Sequence, residues 1–382
     1  MTGIAVLGST GSIGRQTVDV VRAAPDRYEV RALASGHRDE IFEAQVREFR
    51  GARVWNPEGR DSDLAPGRWA DGGLEELATA DGVELVVVAT SGMTALPAVL
   101  AALRSGRRVA LANKEALVTG GHLVRDALEG DPKARLDRLR PIDSEHSAIW
   151  QCLRGERMED VARLILTASG GPFRDRNPAD LADVTPADAL AHPTWQMGPK
   201  VTIDSATMVN KAFEAIEAKW LYDLPYPRID AVLHPTSIVH SLVEFVDGSF
   251  KAQLGLPDMR LPIQYALSYP ERHPGPARAA APETWPPISF APLEPGRFPA
   301  YDSVRAAAAA GGNRGTVLNA ADEVAVTAFL AGTTSFPAIA ATIELAVARW
   351  GTDVEPSLSE IIDLDAQIRA TLTTELGVEA VH

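Results

Sequence analysis

The stretch "VLGSTGSIGRQTVDVV", Val6 to Val21, constrains the fold of this chain more than any other. An apolar run, Ile4–Leu7, passes through Gly8, Gly11 and Gly14 into a helical pattern over Ile13–Ala23. The spacing G-x-x-G-x-x-G is a relative of the dinucleotide fingerprint, and a strand before with a helix after is the context that fingerprint needs. Glycines let the backbone approach a pyrophosphate, and the helix N-terminus supplies amides and partial positive charge. The next apolar runs, Tyr28–Ala34, Leu85–Ala89 and Arg108–Ala112, alternate with helical stretches. That alternation predicts a parallel sheet with right-handed crossovers over residues 1–140.

The second strand ends in "ALASGHRDE". An acidic residue about 20 positions after the glycines would suit the ribose 2′-hydroxyl of NAD. Ser35, Gly36, His37 and Arg38 stand there instead, a set that suits a 2′-phosphate, so NADPH is expected. "LANKEA" puts Asn113, Lys114 and Glu115 at the C-terminal end of a later strand, where such sheets bind ligands.

Beyond residue 140 the pattern changes. Arg163–Thr167, Ala231–Leu233, Ile238–Val246 and Phe250–Gly255 read as strands, with "VDGS" a hairpin turn between the last two. Ala206–Tyr222 reads as one long amphipathic helix capped by Asp204 or Ser205. At about 100° per residue its buried stripe is Met208, Val209, Ala212, Phe213, Ile216 and Trp220. Asn210, Lys211 and Glu214 fall on a separate arc, a shared site or a solvated face. Residues 141–269 form an α+β domain on this reading. Nine prolines between Pro270 and Pro299 read as an extended linker, and residues 300–382 as a helical bundle.

"PIDSEHSAIW" sets Asp143, Ser144, Glu145 and His146 before an apolar helical pattern. They could cap a helix or supply half of a metal site. "LTASGGPF" places Ser169 and two glycines after a strand, where freed amides and a hydroxyl can take an anion. "HPTWQMGPK", His192 to Lys200, has the makeup of a loop that closes over a substrate.

The 382 residues are 46% hydrophobic and 23% charged, ordinary for a soluble globular protein. The net charge of −14 disfavours nucleic acid and anionic membrane as partners. Cys152 is the only cysteine, which suits a reducing cytoplasm. "MTGIAVLGST" reads as a strand rather than a signal peptide, and "VELVVVA" is too short to span a bilayer.

The motifs "GSTGSIG", "LANKEALV", "PIDSEHSAI", "SGGPFR", "HPTWQMGPK", "DSATMVNKAFE", "HPTSIVHS", "LGLPDMRLPI" and "LNAADEVAVTAFL" occur in this order. Together they resemble the 1-deoxy-D-xylulose 5-phosphate reductoisomerases of the non-mevalonate isoprenoid pathway. The resemblance implies an α/β protein with a Rossmann-like N-terminal domain, a central α+β catalytic domain and a C-terminal bundle, active as a homodimer. It implies one Mg²⁺ or Mn²⁺ held by Asp143, Glu145 and Glu214. A sugar phosphate is implied at Ser169, Ser205, Asn210 and Lys211, with Lys114, Ser144, Glu145, His192, Glu214 and His240 near the reacting groups and Trp195 and Met197 on a lid. The cofactor is implied along Thr10, Gly11, Ser12, Ile13, Gly36, Asn113, Glu115 and Gly198. Ala212 stands where the family commonly has glycine, Thr194 where it commonly has asparagine, and His37-Arg38 where it commonly has a basic residue and asparagine.

Overall fold

The structure is a computed structural model that describes residues 1–378 apart from 62, 129, 131, 193 and 196. Those residues fall into two compact units that do not follow chain order. Met1–Ala116, Leu123–Gln151 and Asp258–Ala279 form the first. Leu117–His122, Cys152–Pro257 and the chain from Ala280 onward form the second.

The first unit is built on β1 (Thr2–Leu7), α1 (Ser12–Arg22), β2 (Tyr28–Ala34), α2 (Glu40–Glu48), β3 (Arg53–Trp55), α3 (Gly73–Ala78), β4 (Leu85–Val88), α4 (Leu96–Arg104), β5 (Arg108–Leu111), α5 (Glu115–Asp126), α6 (Pro132–Arg138), β6 (Leu139–Pro141) and α7 (Ser144–Cys152). The strands stand in the order β3-β2-β1-β4-β5-β6, and all pairs are parallel. Ile4–Leu7 and Leu85–Val88 are buried throughout, as strands covered on both faces must be. This is the doubly wound arrangement, with its topological switch between β1 and β4, and ligands bind outside the carboxyl ends of strands at that point. The glycine loop after β1 therefore opens at the switch. The short strands β3 and β6 carry too few apolar residues to be seen in the sequence.

The second unit begins with β7 (Val161–Ala168), α8 (Pro186–Leu190), α9 (Pro199–Thr207), α10 (Val209–Tyr222), β8 (Ile229–Leu233), β9 (Val239–Phe245) and β10 (Phe250–Leu254). The helix α11 (Arg260–Ser268) returns to the first unit. Then β11 (Ala291–Pro292) completes a sheet in the order β10-β9-β7-β8-β11. Four helices follow: α12 (Pro299–Ala310), α13 (Arg314–Leu330), α14 (Phe336–Trp350) and α15 (Leu358–Leu376). They share one apolar core with α9 and α10, including Phe213, Ile216, Val324, Phe329, Ile343 and Ile368.

Two sequence expectations need correction. The helix expected over Ala206–Tyr222 is two helices, because Met208 adopts a left-handed φ of 64° and ends the first ladder. Asp204 and Ser205 sit in the last turns of α9, so neither caps α10; the Thr207 hydroxyl accepts the Val209 N–H at 3.3 Å instead. Part of the expected proline linker is a strand, since Ala291 and Pro292 pair antiparallel with Leu233 and Val232. Proline is tolerated there because β11 is a sheet edge.

Candidate active site

At the switch point, Gly8 has a left-handed φ of 88° and a Cβ on it would lie 2.5 Å from the Ala89 carbonyl oxygen. A Cβ on Gly14 would lie 2.1 Å from the Gly8 carbonyl oxygen, so these two glycines set the turn and the strand–helix packing. A Cβ on Gly11 would make only ordinary contact, 3.5 Å from the Gly8 carbonyl oxygen, and the exposed Gly11 precedes Ser12 and Ile13 at the start of α1. The middle glycine thus exposes backbone for a close-lying phosphate. The Thr10 and Ser35 hydroxyls pair at 2.8 Å, tying this loop to the end of β2. Gly36 follows with no atom near the position of a Cβ. His37 is largely exposed, 3.5 Å from Glu58, and Arg38 lies against Glu43 and Asp61.

Asn113 is buried after β5, and its side chain is committed to the protein. Nδ2 donates to the Thr90 and Gly92 carbonyls at 3.1 and 2.7 Å and to Glu115 at 3.1 Å. Oδ1 accepts the Ala116 N–H. Asn113 thereby fixes the loop after β4 at the switch point. Lys114 is only 9% exposed, not the surface lysine its position in the sequence allowed. Its Nζ lies 3.3 Å from Asp143 Oδ2.

Asp143 caps a helix with one oxygen and pairs with Lys114 through the other. Oδ1 accepts the N–H groups of Glu145 and His146 at 3.1 and 3.5 Å, capping α7, while Oδ2 faces Lys114. The Ser144 hydroxyl donates to Glu145 at 2.5 Å. Cap and ligand are therefore compatible roles for one carboxylate. Cys152 at the end of α7 is buried, and burial pushes its thiol up to about 11, so it stays an inert thiol.

In the second unit, Ser169 follows β7, and Gly170 and Gly171 both have left-handed φ. A Cβ on Gly171 would lie 2.6 Å from the Ser205 carbonyl oxygen, so this turn packs directly on α9. His192 Nε2 bridges the hydroxyls of Ser169 and Ser205 at 3.2 and 3.1 Å. Its Nδ1 accepts the N–H groups of Thr194 and Trp195 at 3.1 and 2.9 Å, which makes Nε2 the protonated nitrogen. Two hydroxyls and an imidazole thus meet at one place. The Trp195 ring stands 6.3 Å from His240, and Met197 and Gly198 lead into α9. Pro193 and Gln196 of this segment lie outside the described residues.

The solvated-face reading of the polar arc on α10 fails. Lys211 and Glu214 are 4% and 1% exposed, with Nζ 2.5 Å from Glu214, whose other oxygen accepts from Asn210 at 2.6 Å. The expected apolar stripe is buried except for Trp220, which is only partly so. A buried ion pair is a poor way to gain stability, so its presence on a core helix points to chemistry.

Burial lowers the His192 pKa. The two amides on Nδ1 act in the same sense, because a protonated Nδ1 cannot accept them. The His192 ring signal in an NMR titration should move only below the ordinary imidazole value of about 6.5, and Trp195 fluorescence should change with the same midpoint. Between the unfolded and folded values the unfolded chain binds more protons, so stability falls as pH drops through that window. A midpoint above the ordinary value would contradict this tautomer.

Residues that sequence reading missed surround these positions. Gln45 anchors the glycine loop through the Ser9 carbonyl at 3.0 Å, Arg174 holds the Ser169 carbonyl at 2.8 Å, and Lys200 binds Asp204 and the fully buried Asp322 at 2.6 and 2.7 Å. Only "GPK" and "LNAADE" carried any sign of the last group, as unexplained charge in apolar surroundings.

Family models match along the chain. Residues 4–121 match the 1-deoxy-D-xylulose 5-phosphate reductoisomerase model, 139–222 the model of that enzyme's C-terminal domain, and 254–371 a DXP reductoisomerase C-terminal domain. The curated reductoisomerase of Pelotomaculum thermopropionicum is 46% identical over 100% of this chain and 99% of its own. That of Geobacillus kaustophilus is 48% identical over 98% and 99%. A solved DOX-P reductoisomerase in complex with NADPH, fosmidomycin and magnesium superposes with a TM-score of 0.88 at 36% identity, covering 99% of this chain and 98% of its own. The Zymomonas mobilis enzyme in complex with NADPH superposes at 0.89 and 36%, covering 98% and 99%. Identity near one half over the full length, with the same fold carried through, leads to one conclusion: the chain belongs to the 1-deoxy-D-xylulose 5-phosphate reductoisomerase family.

Proposed function

We propose that Asp143, Glu145 and Glu214 hold the divalent cation of this enzyme, and that Ser169, Ser205, Asn210 and Lys211 hold its substrate's phosphate. The reaction itself follows from the family. The chain is an NADPH- and divalent-cation-dependent oxidoreductase that isomerises 1-deoxy-D-xylulose 5-phosphate and reduces the product to 2-C-methyl-D-erythritol 4-phosphate, in the non-mevalonate isoprenoid pathway. One observation carries the residue assignment: an ammonium, a carboxylate and an amide in contact on the buried face of α10.

The donor set fits the cation. Three carboxylates offer hard oxygen ligands, which suit Mg²⁺ or Mn²⁺, and Cys152 is too buried and too weakly acidic to compete as a thiolate. The bound cation supplies Lewis-acid polarisation of the substrate carbonyl and the neighbouring hydroxyl. Lys114 orients Asp143 and offers a proton donor near the reacting hydroxyls, and Ser144 aligns Glu145. His192, expected near the reacting groups, donates from Nε2 to the two serines assigned to the phosphate, so it would act between the phosphate and the reacting hydroxyls. Trp195 and Met197 exclude water over the bound sugar, with His240 beneath the indole. Thr10, Gly11, Ser12, Ile13, Gly36, His37, Arg38, Asn113, Glu115 and Gly198 take the cofactor in this reading. By role, residues 1–140 then serve NADPH, 141–269 catalysis and dimerisation, 270–299 connection together with the β11 edge of the second sheet, and 300–382 support, a division that cuts across the two compact units.

The same proposal covers assembly and location. The edge strand β10 and the turn before it expose Phe250 at 52% and Val246 at 68%, apolar surface on an unpaired edge that a second copy would cover. A cytoplasmic homodimer fits that edge and the buried, reduced Cys152. No helix among the described residues is long and apolar enough to cross a membrane.

The test is NADPH oxidation with 1-deoxy-D-xylulose 5-phosphate. A chelator should reduce turnover to background, and Mg²⁺ or Mn²⁺ should restore it. Turnover that persists in the chelator would remove the cation site and leave a simple sugar-phosphate dehydrogenase.

A further inference from the structure

We infer that Asp61 sets the cofactor selectivity of this enzyme by competing with the NADPH 2′-phosphate for Arg38. The inference rests on the reading that Arg38 meets that phosphate, four residues beyond the end of β2. The Arg38 guanidinium is already engaged. Nε points at Glu43 Oε1 at 3.3 Å, and Nη2 is 2.7 Å from Asp61 Oδ2. Those two nitrogens form one edge of the fork, the edge that takes carboxylate or phosphate in bidentate fashion.

Asp61 is a fixed acid. Its Oδ1 accepts the N–H groups of Asp63 and Leu64 at 2.9 and 3.2 Å, and its carbonyl accepts the indole N–H of the buried Trp69 at 2.7 Å. The carboxylate is held in place, and Oδ2 is left to face Arg38. Glu43 differs, because Arg47 also pairs with it at 2.7 Å and offsets its charge. Glu58 beside His37 adds a further negative charge to the neighbourhood.

NADH and NADPH meet this arrangement differently. With a 2′-hydroxyl the Arg38–Asp61 pair stays intact. A 2′-phosphate must take the guanidinium edge from Asp61 and then lie beside a displaced carboxylate. Asp61 therefore opposes NADPH and leaves NADH alone, an unfavourable contact that tunes a difference of affinities.

Dissociation constants for NADPH and NADH, measured by nucleotide fluorescence on the full-length protein, test this. Asp61→Asn keeps an oxygen for the two backbone N–H groups and removes the charge. It should tighten NADPH about fivefold, the scale of a partly exposed ion pair, and move NADH less than twofold. The gain should shrink at high salt and vanish when Asp61→Asn is combined with Arg38→Met. Arg38→Met alone should weaken NADPH and spare NADH. If it does so while Asp61→Asn leaves NADPH unchanged or weaker, competition is overturned and the Arg38 reading stands. If Arg38→Met leaves the NADPH-to-NADH ratio unchanged, the reading and the inference fall together.

Discussion

Glu214→Gln should lower turnover by more than about a thousandfold while NADPH affinity stays within twofold of wild type. Outer partners of a metal ligand already cost about 10–100-fold when removed, and loss of a ligand should exceed that. The substitution keeps the volume of the side chain and an oxygen for the Asn210 amide, now 2.6 Å away. It removes the negative charge from a group that is 1% exposed. Two consequences follow. The proposed cation loses one of three anionic oxygens, so calorimetric Mn²⁺ binding should weaken with turnover. Lys211 loses the counter-charge 2.5 Å from its Nζ, and weakening a buried ion pair is destabilising. The melting temperature of the metal-free protein should therefore fall. NADPH is spared because the residues proposed for it lie on other elements, around β1, β2 and β5 and at the start of α9. Near wild-type, metal-dependent activity in the variant would show that Glu214 is no ligand.

The sequence revealed the first unit better than the second, for physical reasons. A parallel strand buried on both faces writes a continuous apolar run, and Ile4–Leu7 and Leu85–Val88 were legible as such. The glycine loop was legible because Gly8 and Gly14 have no sterically acceptable substitute. The break between α9 and α10 was invisible, since Met208 in a left-handed conformation breaks the rule that non-glycine residues avoid it. Periodicity joined the two helices and made caps of Asp204 and Ser205, which instead face Lys200 and His192. Periodicity also separated Lys211 and Glu214 from the apolar stripe correctly, yet could not tell that both are buried as well. Pairings across long separations, such as Arg38 with Asp61, leave no local trace. The motifs named candidate residues, and the fold sets their hydrogen-bond partners.

Lys211→Met should raise the Michaelis constant for the phosphorylated substrate by about 10–100-fold, with a smaller effect on turnover. A charge-assisted hydrogen bond to a dianion contributes about 1.5–3 kcal/mol, and that is the range of affinity such a loss produces. Methionine fills the space of the buried lysine stem without its charge, so the packing of α10 against its core survives. The ammonium now does two jobs. It pairs with Glu214, and in the proposed pocket it would also meet the substrate's phosphate. Removing it takes a positive charge from beside Glu214, while the Asn210 amide still donates to it. Cation affinity should therefore hold or rise while phosphate affinity falls, an opposition that a simple loss of fold would not produce. Inorganic phosphate offers a second reading of the same pocket. It should compete with substrate in the wild type and compete much less in Lys211→Met. Equal inhibition of both proteins by phosphate, with an unchanged Michaelis constant, would take Lys211 out of the phosphate pocket and leave it as the structural partner of Glu214.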